Sequence, residues 1–399
     1  MNLHRRCILW ATLLSLATSA PAQDAGLASS RTNAAHARHA AILRRTSIIY
    51  LACQGLAQGD LSCYGQTNFQ TPNLDRLAAA GTRFTEYRAV GDDLAQAQAA
   101  LMAGNRDASS AGQVTLATRL QQAGYHTGLI GTWTLGLTPW TQGFDEFAGF
   151  LSEPEADNDY SDFMWRYAPK SVYDSTNRTW LPWAGREEIH ENTGGRKARF
   201  MPDLLLSATV NFVRVNAPDF ANRYRPFFLL VNLPAPHSVT PGKDDYPVPT
   251  DAPFTSESWP QAAKNRAALL TRLDAGVGRL LEQLKKVSLT NNLAIFLTGA
   301  VAPEKFADPK LNFLKLKDEV RGGDSPARLR LPMLVYWPEQ VPAGQVSRVP
   351  WSAPDFAPTA LEIAFVKPVP GFTGVSVLPA LLGHAGTNAP GFLNSRPGR

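Results

Sequence analysis

Apolar runs alternate with stretches of three-to-four-residue periodicity along most of this chain. Ser47-Ile48-Ile49-Tyr50-Leu51-Ala52-Cys53 carries no charged residue and no wet face, the pattern of a strand covered on both sides. Phe227-Phe228-Leu229-Leu230-Val231-Asn232, Leu293-Ala294-Ile295-Phe296-Leu297 and Met333-Leu334-Val335-Tyr336 have the same character, and another strand is predicted around Thr127 to Ile130. Helical patterns lie between them. From Gln261 to Lys286, the positions Leu269, Leu270, Leu273, Val277, Leu280, Leu281 and Leu284 fall on one helical face, and Leu204 to Val215 reads as a helix. Thr71 and Pro72 suit the N-cap and first turn of a helix that Gly81 stops, and a second, from about Thr115 to Ala123, ends at Gly124. Residues 151–200, rich in aromatics, Asp and Asn, are expected to form a long irregular surface excursion. Strands separated by helices predict an α/β fold, with a mostly parallel central sheet and helices on both faces. Ligands of such sheets gather beyond the carboxyl ends of the strands. Chemistry is therefore expected in the loops after Ala52, Ile130, Asn232 and Leu297.

The 399 residues suffice for one large α/β domain or two smaller ones, and 44% hydrophobic against 18% charged residues is enough to fill a core. The amino terminus has the layout of a signal peptide over residues 1–22. Arg5 and Arg6 precede the apolar run Cys7 to Ala17, too short to span a bilayer, and Ala20-Pro21-Ala22 offers small residues for cleavage. Residues 23–45 read as a linker, 46–383 as the folded domain and 384–399 as a tail. An exported product, periplasmic or secreted, is expected, with no membrane span once the leader is removed. Cleavage would leave Cys53 and Cys63, too few for a disulfide framework. A net charge of +5 without a lysine- or arginine-rich run, and without a nucleic-acid motif, gives no reason to expect a nucleic-acid partner.

Six ordered segments narrow the reading. Gly59-Asp60-Leu61-Ser62-Cys63-Tyr64-Gly65, then Thr71-Pro72-Asn73-Leu74-Asp75-Arg76-Leu77-Ala78 with Gly81-Thr82-Arg83-Phe84-Thr85, open the series. Gly143-Phe144-Asp145-Glu146-Phe147, Pro226-Phe227-Phe228-Leu229 with Pro234-Ala235-Pro236-His237, and Leu331-Pro332-Met333 with Trp337-Pro338 continue it. Together they resemble the type I (arylsulfatase-like) sulfatases of the alkaline phosphatase superfamily, from about Thr46 to Leu382. The resemblance implies the alkaline phosphatase-like fold. It also implies a calcium ion held by two aspartates after the first strand and an Asp-Asn pair after a late strand. The family's nucleophile is a formylglycine made from Cys or Ser, and lysines and histidines neutralise the sulfate and protonate the leaving group.

At the matching positions this chain departs from the pattern. The paired aspartates fall on Gln54 and Gly55, and the late Asp-Asn pair on Gly299 and Ala300. Counting back from Leu101-Met102-Ala103-Gly104 puts Leu94 at the nucleophile, Gln96 at the motif proline and Gln98 at its arginine. The family's Gly-Lys-Trp-His-Leu-Gly becomes Gly131-Thr132-Trp133-Thr134-Leu135-Gly136. His237 keeps the Pro-His position, and Arg321 stands where the family has a lysine. Neither calcium nor formylglycine is expected, so the chain reads as a catalytically degenerate sulfatase. It would bind sulfated or anionic glycans, or regulate an active homologue. The alternative is a metal-independent hydrolase of sulfate or phosphate esters built on His237, Arg321 and Asp92 or Asp93, with Gln54 and Gln98 lining its pocket. Asp92 and Asp93 read in preference as a solvated loop pair, and the Trp and Tyr residues between 160 and 183 as a sugar platform or as packing. Gly371 to Gly383 resembles the stretch that closes the family's large domain, so the small C-terminal subdomain is expected to be largely absent.

Overall fold

A computed structural model describes residues 45–91, 93–106, 114–219, 225–234, 246–301, 330–367 and 371–383. Their strands, in chain order, are β1 (Ser47–Cys53), β2 (Thr82–Phe84), β3 (Tyr87–Arg88), β4 (His126–Thr132), β5 (Glu146–Phe150), β6 (Phe163–Asp174), β7 (Thr179–Glu188), β8 (Phe227–Leu233), β9 (Leu293–Gly299), β10 (Met333–Tyr336), β11 (Gln345–Ser347) and β12 (Trp351–Ser352). The longer helices are α1 (Pro72–Ala79), α2 (Leu94–Ala103), α3 (Leu116–Gln122), α4 (Met201–Asn216), α5 (Gln261–Lys286) and α6 (Ala353–Ile363).

Ten strands make one sheet in the order β11-β2-β10-β9-β1-β8-β4-β5-β6-β7. Its centre, β9-β1-β8-β4-β5, is parallel, while β10 on one side and β6 and β7 on the other run antiparallel to their neighbours. Every residue of β1, β8 and β9 is buried, which explains why their sequences do not alternate. Side chains of β1 still alternate between faces. Ile49 and Leu51 pack with α1, α4 and α5, whereas Ile48 and Tyr50 pack with α2, α3 and α6. Helices thus cover both faces, as predicted, and α5 has the predicted bounds.

Two local expectations change. Thr71 occupies the N-cap position of α1, but its side chain does not cap that helix. Its hydroxyl lies 2.8 Å from the Ser62 hydroxyl, and Asp274 of α5 accepts the free amides of Asn73 (2.9 Å) and Leu74 (2.8 Å). Residues 151–200 are not irregular: β6 and β7 form a hairpin with strands of 12 and 10 residues. Phe163, Trp165 and Tyr167 do repeat every second residue, but a register shift between Ala168 and Val172, with Pro169 and Pro182 beside it, interrupts the repeat.

A buried ion pair anchors the loop after β1. Arg266 of α5 donates to Asp60 from Nε (2.9 Å) and Nη2 (2.6 Å), and also to the Gly55 carbonyl (2.9 Å). Asp60 in turn accepts the Ala57 amide at 2.8 Å. The two side chains are 1% and 0% exposed, so Asp60 serves to anchor this loop on α5.

At the amino ends of β4 and β5, His126 lies between two carboxylates, 2.8 Å from Glu146 and 3.4 Å from Asp145. Burial opposes the imidazolium, but hydrogen bonds and attraction from Asp145 and Glu146 outweigh it and raise the His126 pKa above its ordinary 6.5. Burial likewise opposes the Asp145 carboxylate, yet bonds from His126, Thr127 and Gln121 bring its pKa down to about 2. A raised histidine stabilises fully below its unfolded pKa of 6.5, and the contribution is lost as pH rises through the folded value. A lowered aspartate stabilises above its unfolded pKa of 3.8, and the contribution is lost as pH falls toward about 2. The thermal midpoint of the native chain is therefore expected to fall as pH rises above about 6.5 and through the raised folded value. His126→Gln should flatten that slope and cost roughly 1–2 kcal/mol at the acidic end. An unchanged slope in the variant would remove His126 from this role.

Candidate functional site

The carboxyl ends of the parallel strands bring most of the expected positions together. Gln54 and Gly55 follow β1, Gly299 ends β9 and Ala300 follows it. Cys53 pairs with Gly299 across the two strands, and the Ala300 amide donates to the Cys53 carbonyl at 2.9 Å. Leu94 is the first residue of α2 and Gln98 lies one turn on, both 2% exposed. Thr132 ends β4, with Thr134 in the loop after it. Asp93 is exposed and caps α2, accepting the Gln96 amide at 2.6 Å. Asp92, His237 and Arg321 lie outside the described residues.

Three of the replaced positions are joined by hydrogen bonds. Gln98 donates from Nε2 to the Thr132 carbonyl (2.8 Å), while its Oε1 accepts from the amide and the hydroxyl of Thr134, both at 2.9 Å. Thus the positions matched to an arginine, a lysine and a histidine in the family form a neutral hydrogen-bonded group. Asn232, near the end of β8, donates to the same Thr132 carbonyl at 3.3 Å. Among the described residues, the Thr132 hydroxyl is buried without a partner. A cavity of about 20 Å³ remains, lined by Tyr50, Leu94, Gln98, Asn232 and Ala300 among others. That is room for about one water molecule. Asn232 had not been singled out from sequence; the signal was a lone amide near the end of an otherwise apolar run.

The residues at the positions matched to the family's metal and nucleophile do not fit those groups. A hard divalent cation wants several oxygen donors, including carboxylates. Gln54 offers one neutral carboxamide, and Gly55, Gly299 and Ala300 offer no side-chain oxygen. Space is also lacking: a Cβ added at Gly299 would lie 2.4 Å from the Leu56 carbonyl oxygen. Gly55 has φ +78°, a left-handed conformation that side chains oppose. Leu94 carries no heteroatom to oxidise or to attack sulfur. Among the described residues no group of three or more His, Cys, Asp and Glu is placed to hold a metal ion. Among the described residues neither Cys53 nor Cys63 supplies a nucleophile: burial pushes the Cys53 thiol up, and burial with the nearby Asp75 charge pushes Cys63 up to about 12.

Comparison with known proteins agrees with the fold. The Sulfatase family model matches residues 46–366. N-acetylgalactosamine-6-sulfatase of Canis lupus familiaris is 28% identical over 387 residues, covering 87% of this chain and 68% of that protein. Arylsulfatase G of Rattus norvegicus is 27% identical over 403 residues, covering 86% and 70%. The chain thus spans about two thirds of the length of the curated relatives it matches. The solved structure of Ps i-CgsB superposes with a TM-score of 0.64 at 25% identity, covering 85% of this chain and 77% of that one. Among the described residues no helix is long and apolar enough to cross a membrane. With the family model matched over most of its length and this sheet beneath it, the chain belongs to the Sulfatase family, the type I sulfatases of the alkaline phosphatase superfamily.

Proposed function

We propose that this chain is an exported, non-hydrolysing member of the sulfatase family that binds sulfated or anionic glycans, alone or as the regulatory partner of an active homologue. One observation carries the reading: Gln98 ties Thr132 to Thr134 where the family places its sulfate-binding cations, and Leu94 fills the nucleophile position beside them. Sulfuryl transfer needs an attacking oxygen and positive charge on the sulfate oxygens. A leucine and a neutral amide provide neither, and two threonine hydroxyls bring no positive charge and are weak nucleophiles without a base to activate them. The cavity beside Leu94 and Gln98, about 20 Å³, has room for about one water molecule. Relatives in this family bear names of sulfatases acting on amino-sugar sulfates, which supports a glycan as the ligand retained when the chemistry is lost.

The purified protein is expected to turn over neither aryl sulfates nor aryl phosphates and to carry no stoichiometric calcium by elemental analysis. Calorimetry should show it binding a sulfated oligosaccharide saturably, without product. Measurable turnover that disappears in His237→Ala would overturn this reading in favour of a metal-independent hydrolase.

A further inference from the structure

The aromatic residues between 160 and 183 divide into two groups in the folded chain. Tyr160 packs on Phe200, Trp165 lies under the Arg186 guanidinium and donates to Glu155, and Tyr167 stacks on Trp140. Tyr173, Trp180 and Trp183 have no comparable cover and are 52%, 54% and 37% exposed. Tyr173 and Trp180 are cross-strand partners with ring centres 5.3 Å apart, and the next pair, Val172 and Leu181, is also exposed. Neighbours along a strand project to opposite faces, so apolar surface is offered on both sides of the hairpin's outer half.

Charge in this half is unbalanced in a useful way. Among the described residues neither Lys170 nor Arg178 forms an ion pair. The single carboxylate between residues 168 and 184, Asp174, is used inside the turn, accepting from the amides of Thr176 and Asn177 and from the Asn177 side chain.

We infer that residues 170–183 of the hairpin are the surface that holds an anionic oligosaccharide; this rests on the glycan-binding reading above and gives it a place away from the closed centre. The Tyr173 and Trp180 rings supply flat apolar faces with negative quadrupoles, which match the C–H faces of a sugar ring. Lys170 and Arg178 supply cations for sulfate or carboxylate groups, the guanidinium in bidentate fashion. Two other occupants fit less well. The tip, Asp174-Ser175-Thr176-Asn177-Arg178-Thr179, is polar throughout, which opposes insertion into lipid. Edge pairing with a second copy is opposed by Pro182 within β7 and by the charged run Arg186-Glu187-Glu188 at its end.

Full-length protein would be titrated by calorimetry with a chondroitin-6-sulfate octasaccharide and with its desulfated counterpart. Trp180→Ala should weaken binding of the sulfated probe about five- to tenfold. Lys170→Ala/Arg178→Ala should weaken it about tenfold at low salt and remove most of its salt dependence. These side chains are exposed, so the thermal midpoints should stay at the native value. Native protein that binds the probe, with both variants binding equally tightly, would overturn this surface while leaving the glycan reading intact. Failure of the native protein to bind either probe would sink the glycan reading itself. A dimer or vesicle association abolished by Trp180→Ala, without glycan binding, would assign the hairpin to a second copy or to lipid and overturn the inference.

Discussion

Asp60→Ala is expected to cost about 3–5 kcal/mol of folding free energy, a large share of what a single domain has. The magnitude follows from what the substitution leaves behind. Arg266, 1% exposed, would keep its charge without its carboxylate partner, while the Gly55 carbonyl and the Tyr246 ring stay beside it. The Ala57 amide would also lose its acceptor. Chemical denaturation should show a lower midpoint. The double substitution Asp60→Leu/Arg266→Leu should be less damaging than the single change, because it removes the orphaned charge as well as the pair. A loss below about 1 kcal/mol in Asp60→Ala would show that water reaches the site, against the burial described here. The pair holds the loop that carries Gln54 and Gly55, so the same variant tests whether that loop depends on α5.

Rebuilding carboxylates at the cation positions should fail. Gly55→Asp/Gly299→Asp is expected to lower stability by about 3 kcal/mol or more without creating a calcium site. Position 299 has no room, since its Cβ would meet the Leu56 carbonyl oxygen at 2.4 Å, and relief requires the backbone to move. Position 55 adds the strain of a side chain at φ +78°. Thermal unfolding with and without millimolar calcium measures both effects. A tight site would raise the midpoint in proportion to the logarithm of free calcium over its dissociation constant. A calcium-dependent rise of several degrees would mean that the backbone after β1 can move aside to admit the new carboxylates, against the steric block at Gly299.

Much of the scaffold was legible in the chain because burial on both faces leaves a plain signature. The runs at 47–53, 227–232 and 293–297 lack alternation because helices cover the sheet on either side, and each became a central strand. The long amphipathic stretch at 261–286 became α5 with the bounds its leucines predict. The hairpin at 163–188 was hidden because its outer half has no buried face to impose a period, and a register shift breaks the repeat in β6. Likewise Thr71 looked like the cap of α1, yet Asp274, some 200 residues away, does that work, and no local pattern announces such a partner.

The sequence by itself determined which side chains are available: a leucine, amides, threonines, glycines and an alanine stand at positions matched to carboxylates, a nucleophile and cations. Composition at aligned positions is local information, and it limits the chemistry before any folding. Tertiary structure alone decided what those side chains do. Gln98 meets Thr132 and Thr134 only because α2 is packed against the end of β4, and the Leu56 carbonyl crowds Gly299 only because the chain after β1 folds back over β9. It also decided which aromatics of the hairpin are packed and which face water. Each of these outcomes depends on contacts between distant segments, and hydrogen-bond geometry and steric exclusion act across space rather than along the chain.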